Sequence, residues 1–209
     1  MSCCDLNGLN GLFKGPVVEA ELRAFKKRGL GKRQKLFLDV LRGDIENRTV
    51  LDIGCGIGGL GLSLLAQGAA HSVFVDVSKD YLRAARELAR EKGADEHTEF
   101  VKADFMQIDL SPADTVVLDR VVCCYPDAPA LLRKAAAYSR AQLIFSYPRP
   151  AWWMNVTGYL LNLGMRVWRK EYRFYVHEEE ELLDAGKKDG HTLQEVRNVG
   201  VWRVAAFRR

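Results

Sequence analysis

Val50-Leu51-Asp52-Ile53-Gly54-Cys55-Gly56-Ile57-Gly58-Gly59 carries an apolar, partly β-branched stretch straight into a glycine-rich turn. A helical pattern follows at 59–67, with Gly68 as its stop. Strand, glycine loop and helix in that order make a turn suited to a nucleotide cofactor. Glycine reaches backbone angles that a Cβ forbids, it lets the backbone approach a ligand, and the helix N-terminus offers unpaired N–H groups. Gly54, Gly56 and Gly59 satisfy the spacing G-x-G-x-x-G, so the glycines alone do not separate a dinucleotide from other adenosine-bearing ligands. Asp52 does separate them. Two residues before the first glycine, its carboxylate would oppose a pyrophosphate, anion against anion, whereas a sulfonium and an ammonium are attracted to it. The loop reads as a methyl-donor site.

A second apolar strand, Val73-Phe74-Val75, ends in Asp76, about 20 residues beyond the glycines, the spacing at which a carboxylate accepts both ribose hydroxyls. A third, Phe100-Val101-Lys102-Ala103, runs to Asp104-Phe105, an acid and an aromatic that suit the amino group and the face of an adenine. Three strands thus end on one ligand. Here the chain resembles the class I S-adenosylmethionine-dependent methyltransferases: the stretch from Asp52 to Gly58 looks like their first motif, Asp76 their second, and Asp104-Phe105 their adenine site. The resemblance spans residues 35–209. It implies a doubly wound α/β fold, with a Rossmann-like, mostly parallel sheet of seven strands. It also implies S-adenosylmethionine as cofactor, held by Asp52, Gly54, Gly56, Gly58, Asp76, Val77, Asp104, Phe105 and Asp119.

The rest of the chain agrees with that class. Strand patterns at 50–53, 72–75, 99–102, 115–118 and 142–146 alternate with helical ones, which means a parallel sheet. The helical patterns include 79–92, with Ser78 as N-cap and Gly93 as stop, and 131–139. The chain's end, 191–197, Asn198-Val199-Gly200, then 201–207, reads as two strands around a short turn, so the sheet is expected to close with an antiparallel hairpin. With 209 residues, 48% of them apolar, one domain buries an ordinary core. Its expected parts are a helical cap at 1–41 and a substrate lid at 147–175. The first residues lack a basic stretch followed by a long apolar one, which gives the expectation of a cytoplasmic protein. Five cysteines, odd in number and including two adjacent pairs, read as reduced thiols and not as a disulfide framework.

Two segments fall outside the alternation, and both read as the acceptor side. At 12–41 lies the basic cluster Arg23, Lys26, Lys27, Arg28, Lys32, Arg33 and Lys35, which serves either as a solvated helix face or as a patch for an anionic substrate, lipid or nucleic acid. The formal charge of +4 is modest. After the fifth strand comes Tyr147-Pro148-Arg149-Pro150-Ala151-Trp152-Trp153-Met154, then an apolar stretch to Trp168. It is shorter than the ~20 apolar residues of a membrane span. A lid over an apolar pocket, a helix lying on a membrane surface and a subunit contact all fit it. Trp152, Trp153, Arg149 and His177 are the candidate substrate contacts.

Chemistry belongs after the fourth strand, where Leu118-Asp119-Arg120-Val121-Val122-Cys123-Cys124-Tyr125-Pro126-Asp127 emerges. The Asn-Pro-Pro-Tyr type of signature used on base amines is not there, which argues against nucleic acid as acceptor. The stretch looks like its counterpart in magnesium-protoporphyrin O-methyltransferases, as does Gly11-Leu12-Phe13 before a charged helix. That family's histidine position holds Cys124, so the resemblance guides architecture more than substrate. Tyr125, Arg120 and Tyr147 are the candidate acid-base or orienting groups. No metal site is expected: the zinc spacing C-x-x-C is absent, and packing explains Cys123-Cys124 and Cys3-Cys4 better than a soft-ion site does. The expected activity is methyl transfer to a small or medium-sized, partly apolar acceptor, such as one methylated at a carboxylate oxygen. Its rivals are an RNA methyltransferase using the basic N-terminal helix, a non-catalytic cofactor-binding partner protein, and a thiol or metalloid methyltransferase.

Overall fold

The computed structural model describes residues 15–168 and 173–209. Cys3, Cys4 and Gly11-Leu12-Phe13, singled out above, lie outside the described residues. Two helices, α1 (Gly15–Arg28) and α2 (Lys32–Leu41), precede β1 (Thr49–Ile53). Then come α3 (Gly59–Leu65), β2 (His71–Asp76), α4 (Lys79–Glu91), β3 (Thr98–Lys102), β4 (Ala113–Leu118), α5 (Ala128–Ala137) and β5 (Ser139–Pro148). The chain continues through α6 (Trp152–Val167), α7 (Glu179–Gly186), β6 (Thr192–Val199) and β7 (Trp202–Arg208). The sheet runs β3-β2-β1-β4-β5-β7-β6. β1 to β5 are mutually parallel, and β7 is antiparallel to both β5 and β6.

Local chemistry sets the element ends. Ser78 caps α4, its hydroxyl accepting the Tyr81 N–H at 3.3 Å. Asp127 does the same for α5 through Ala130, so that helix starts three residues earlier than its periodicity suggests, and Ser139 goes to β5. The hairpin turn is Gly200-Val201, with Gly200 in the left-handed region at φ +61°. Asn198 and Val199 pair with Arg203 and Trp202 and belong to β6, which corrects the three-residue turn expected at 198–200.

The strand order reverses between β1 and β4, and a crevice opens at their carboxyl ends, as in other doubly wound sheets. The N-terminal helices cover it. Val18 of α1 is buried with Ile57, Tyr81 and Ala84, and Phe25 lies so close over Gly59 that a Cβ there would sit 2.9 Å from its ring. On the opposite face of the sheet, Leu131, Leu132 and Leu182 of α5 and α7 close the larger core around Val116, Phe145 and Phe207.

Candidate cofactor and acceptor site

A cavity of about 360 Å³ occupies the crevice. Its floor is the glycine turn. Gly54 and Cys55 both donate their N–H groups to the Val75 carbonyl, at 2.7 and 3.2 Å, which ties the turn to the end of β2. Gly54 sits at φ +65°, and a Cβ on it would stand 2.5 Å from a Val121 methyl, so both backbone angle and space demand glycine. Gly56, Ile57, Gly59 and Leu60 also line the cavity. Gly58 does not. It is the N-cap of α3 and packs on Phe74 and Ala85, so the cofactor contact expected of it gives way to a packing role.

Two carboxylates face this floor. Asp76 accepts the Gly56 N–H at 2.9 Å on one oxygen and the Ser78 N–H at 2.8 Å on the other. Burial raises its pKa to about 6, with those N–H groups pulling it back. Asp52, almost wholly buried, accepts the Gly61 N–H at 3.1 Å. Burial pushes it up to about 8, against the Gly61 N–H and helped by the negative charges of Asp119 and Asp76. Val77 and Phe105 complete this end. Asp104 is not among the lining residues: its carboxylate caps the turn that follows it, accepting the Met106 N–H at 3.0 Å and the Tyr125 hydroxyl at 2.7 Å. The adenine contact expected of Asp104 is thereby corrected to a structural bond, and Ala103 and Phe105 form the wall there.

The other end is built from residues far apart in sequence. Asp119 is gripped through both oxygens by Arg33 of α2, at 2.5 and 3.0 Å, and accepts the Ser146 hydroxyl at 2.8 Å. Its expected role as a cofactor ligand is shared with this ion pair. Arg33 also lies over Trp202, 5.0 Å from the ring centroid. Arg120, a non-glycine residue at φ +63°, donates its N–H to Ser146 and its guanidinium to Glu21 of α1, at 3.0 Å. Glu21 in turn accepts the Tyr81 hydroxyl at 2.8 Å. Cys123 and Cys124 each point a thiol at the Arg120 carbonyl, both at 3.5 Å. With Cys55 they line the cavity, and among the described residues no cluster of three or more metal-binding side chains exists.

Of the candidate catalytic groups, Arg120 and Tyr125 line the cavity and Tyr147 does not. Tyr147 is fully buried, its hydroxyl bonded to Glu179 of α7, and burial drives its pKa far up. Arg149 is exposed, as are Trp152 and Trp153 at the start of α6, and none of the three touches the cavity. His177 is half-buried outside it, its pKa lowered by burial while the carbonyls of Tyr125 and Val122 pull the other way. The acceptor contacts expected of these four are corrected accordingly. Glu21, Gln34, Phe174 and Trp202 line the cavity without having been singled out from sequence. The spacing of Val18, Glu21, Leu22 and Phe25 on one helical face was the available signal for Glu21.

Residues 50–141 match a family described as a methyltransferase domain. The whole described fold superposes on magnesium protoporphyrin IX methyltransferase from Synechocystis with bound SAH, with a TM-score of 0.75, 21% identity and coverage of 98% of this chain and 100% of that one. The chain has the fold of the class I S-adenosylmethionine-dependent methyltransferases. In sequence it is 36% identical over 74 residues to ribosomal protein L11 methyltransferase of Pectobacterium carotovorum, across 35% of this chain and a quarter of the relative's length. The same fold also serves the cyclase SpnF, with a TM-score of 0.67, 13% identity and coverage of 85% and 80%. The methyltransferase fold thus admits more than one chemistry, and the site residues must carry the functional argument.

Proposed function

We propose that the chain transfers a methyl group from S-adenosylmethionine to an oxygen anion, such as a carboxylate, on a small or medium-sized, partly apolar acceptor. One observation carries this reading: the carboxylates of Asp52 and Asp76 and the 54–59 turn share one cavity. Two acids at a glycine turn suit a ligand with vicinal hydroxyls and positive charge, and they repel a pyrophosphate.

S-adenosylmethionine, when bound, supplies a methyl group made electrophilic by its sulfonium. The chain's own part is to bind, orient and exclude water, and positioning alone supplies ~7–11 kcal/mol in well-aligned reactions. Asp76 keeps lone pairs for ribose hydroxyls beyond its two backbone bonds. A positive group beside Asp52 favours the carboxylate that burial otherwise disfavours. The polar groups nearest the acceptor end are engaged elsewhere, Tyr125 as donor to Asp104 and Glu21 as acceptor from Tyr81 and Arg120. That supports an acceptor already ionised at neutral pH, which needs no base. Phe174 and Trp202 supply apolar wall, and Gln34 and Arg120 polar contacts. In the basic cluster, Arg23, Lys26 and Arg33 pair with Glu19, Glu91 and Asp119, which favours a small acceptor over RNA.

The test is S-adenosylhomocysteine release with porphyrin carboxylates, phenols, thiols, arsenite and RNA assayed side by side. Turnover on carboxylates is the expected result. Turnover confined to RNA and falling steeply with salt, or confined to thiols or arsenite, overturns the assignment.

A further inference from the structure

Helix α6 wears its amphipathicity inside out. Its inner side is made of Met154 and Gly158, both buried, with Gly158 so close to Phe174 that a Cβ would stand 3.2 Å from the ring. Asn162 fixes the same side, accepting the Phe174 N–H and donating to the Phe174 carbonyl, each at 2.7 Å. Facing outward are Trp152, Val156, Tyr159, Leu160, Leu163 and Val167, spaced i, i+4, i+7, i+8, i+11 and i+15, all exposed, Trp152 to 79% and Val167 to 71%. A helix on the surface of a water-soluble domain ordinarily turns such a stripe to the core. Nine of the eleven large apolar residues exposed among the described residues lie at 152–168, and six of them share this one face, which is more than scattered surface apolarity.

We infer that α6 is a lipid-surface anchor, lying in the plane of a membrane with this stripe sunk to the level of the headgroups. Three observations select lipid over a second copy of the chain. Tryptophan stands at both ends, Trp152 and Trp153 at one and Trp168 at the other, with Tyr159 between, the residues whose amphipathic rings settle at a membrane interface. Arg149 and Arg166 flank the stripe and no aspartate or glutamate occurs between 147 and 168, so a copy of this helix has no carboxylate to offer them while an anionic headgroup has. A stable protein interface takes about 20–30 residues a side, and the patch has one helical face. No described helix is long and apolar enough to cross a membrane, which leaves an in-plane anchor. None of the stripe's residues lines the cavity, so the anchor leaves the cofactor end unblocked.

Co-sedimentation of the full chain with vesicles of phosphatidylcholine alone, and of phosphatidylcholine mixed equally with phosphatidylglycerol, tests the inference. The expected result is binding that rises about tenfold with the anionic lipid and falls about tenfold in Val156→Asp and in Leu163→Asp, with S-adenosylhomocysteine binding unchanged. Trp152→Ser, at the most exposed of these side chains, replaces any aspartate variant that does not fold. Absence of binding to either vesicle, or binding that the substitutions leave intact, overturns it. So does a dimer in size-exclusion chromatography that the aspartates dissociate while vesicles capture nothing.

Discussion

The Tyr125 hydroxyl donates to Asp104 at 2.7 Å, so a tyrosine at the cavity wall and the acid at the end of β3 satisfy each other. Tyr125→Phe removes that donor and leaves Asp104 with the Met106 N–H. Denaturant unfolding should show a loss of about 1–3 kcal/mol, the usual cost of depriving a buried polar group of one partner. Because that hydroxyl is engaged by Asp104 and an ionised acceptor needs no base, turnover on such an acceptor should stay within about threefold of the parent. A fall of the ~10²–10⁴-fold that general acid-base catalysis is worth would instead make Tyr125 the proton carrier.

Asp76→Ala should weaken S-adenosylmethionine binding by tenfold or more, since hydrogen bonds to a charged carboxylate are worth about 1.5–3 kcal/mol each. Gly54→Ala should also abolish binding, for a different reason. It forces a Cβ into φ +65° and against the Val121 methyl, costing about 1–2 kcal/mol for the angle and more for the overlap. Calorimetry and thermal melts separate the two: Asp76→Ala should lose affinity far more than stability, and Gly54→Ala should lose both. NAD should bind neither variant nor the parent. Unchanged affinity in Asp76→Ala would remove it from the site.

Asp52 links binding to pH. Its pKa stands at about 8 in the folded chain against 3.8 for the free side chain, so the folded state holds the proton more tightly. That contribution to stability is full below pH 4 and is lost as pH rises through about 8. Relative to Asp52→Asn, which keeps an oxygen for the Gly61 N–H, the parent should therefore lose stability between pH 5 and 8.5. A cationic ligand favours the carboxylate, so binding S-adenosylmethionine at pH 7 should release a proton. Calorimetry in two buffers of different ionisation enthalpy measures it, and a buffer-independent enthalpy removes Asp52 from contact with the ligand's charge.

The alternation of strands and helices, the glycine turn after β1 and the strand that ends at Asp76 were legible because their signals are local: β-branched runs, glycines and caps. Tyr147 was misplaced because β5 is buried almost end to end, so side-chain alternation carries no mark of which face meets the site. Trp152 and Trp153 were misplaced because an apolar stripe states that a helix has a face, not which way the face turns. Glu21, Gln34 and Trp202 reach the cavity through packing of α1, α2 and the final hairpin, contacts that span most of the chain and leave no local pattern.

Arg33 and Asp119 give the last prediction. Their two-pronged ion pair joins α2 to the end of β4, with side-chain exposures of only 17% and 8%. Arg33→Ala leaves the Asp119 side chain nearly buried and held only by the Ser146 hydroxyl. Breaking a buried pair in this way costs about 3–5 kcal/mol, whereas removing both charges costs much less. Arg33→Ala/Asp119→Ala should accordingly be more stable than Arg33→Ala alone, with a coupling energy of about 1–3 kcal/mol in a double-mutant cycle by urea unfolding. The single variant should also bind cofactor more weakly, because the charge set free on Asp119 raises Asp52 further and α2 loses its tie to the cavity rim. Additive free energies would mean that Arg33 reaches Asp119 without holding the cap in place.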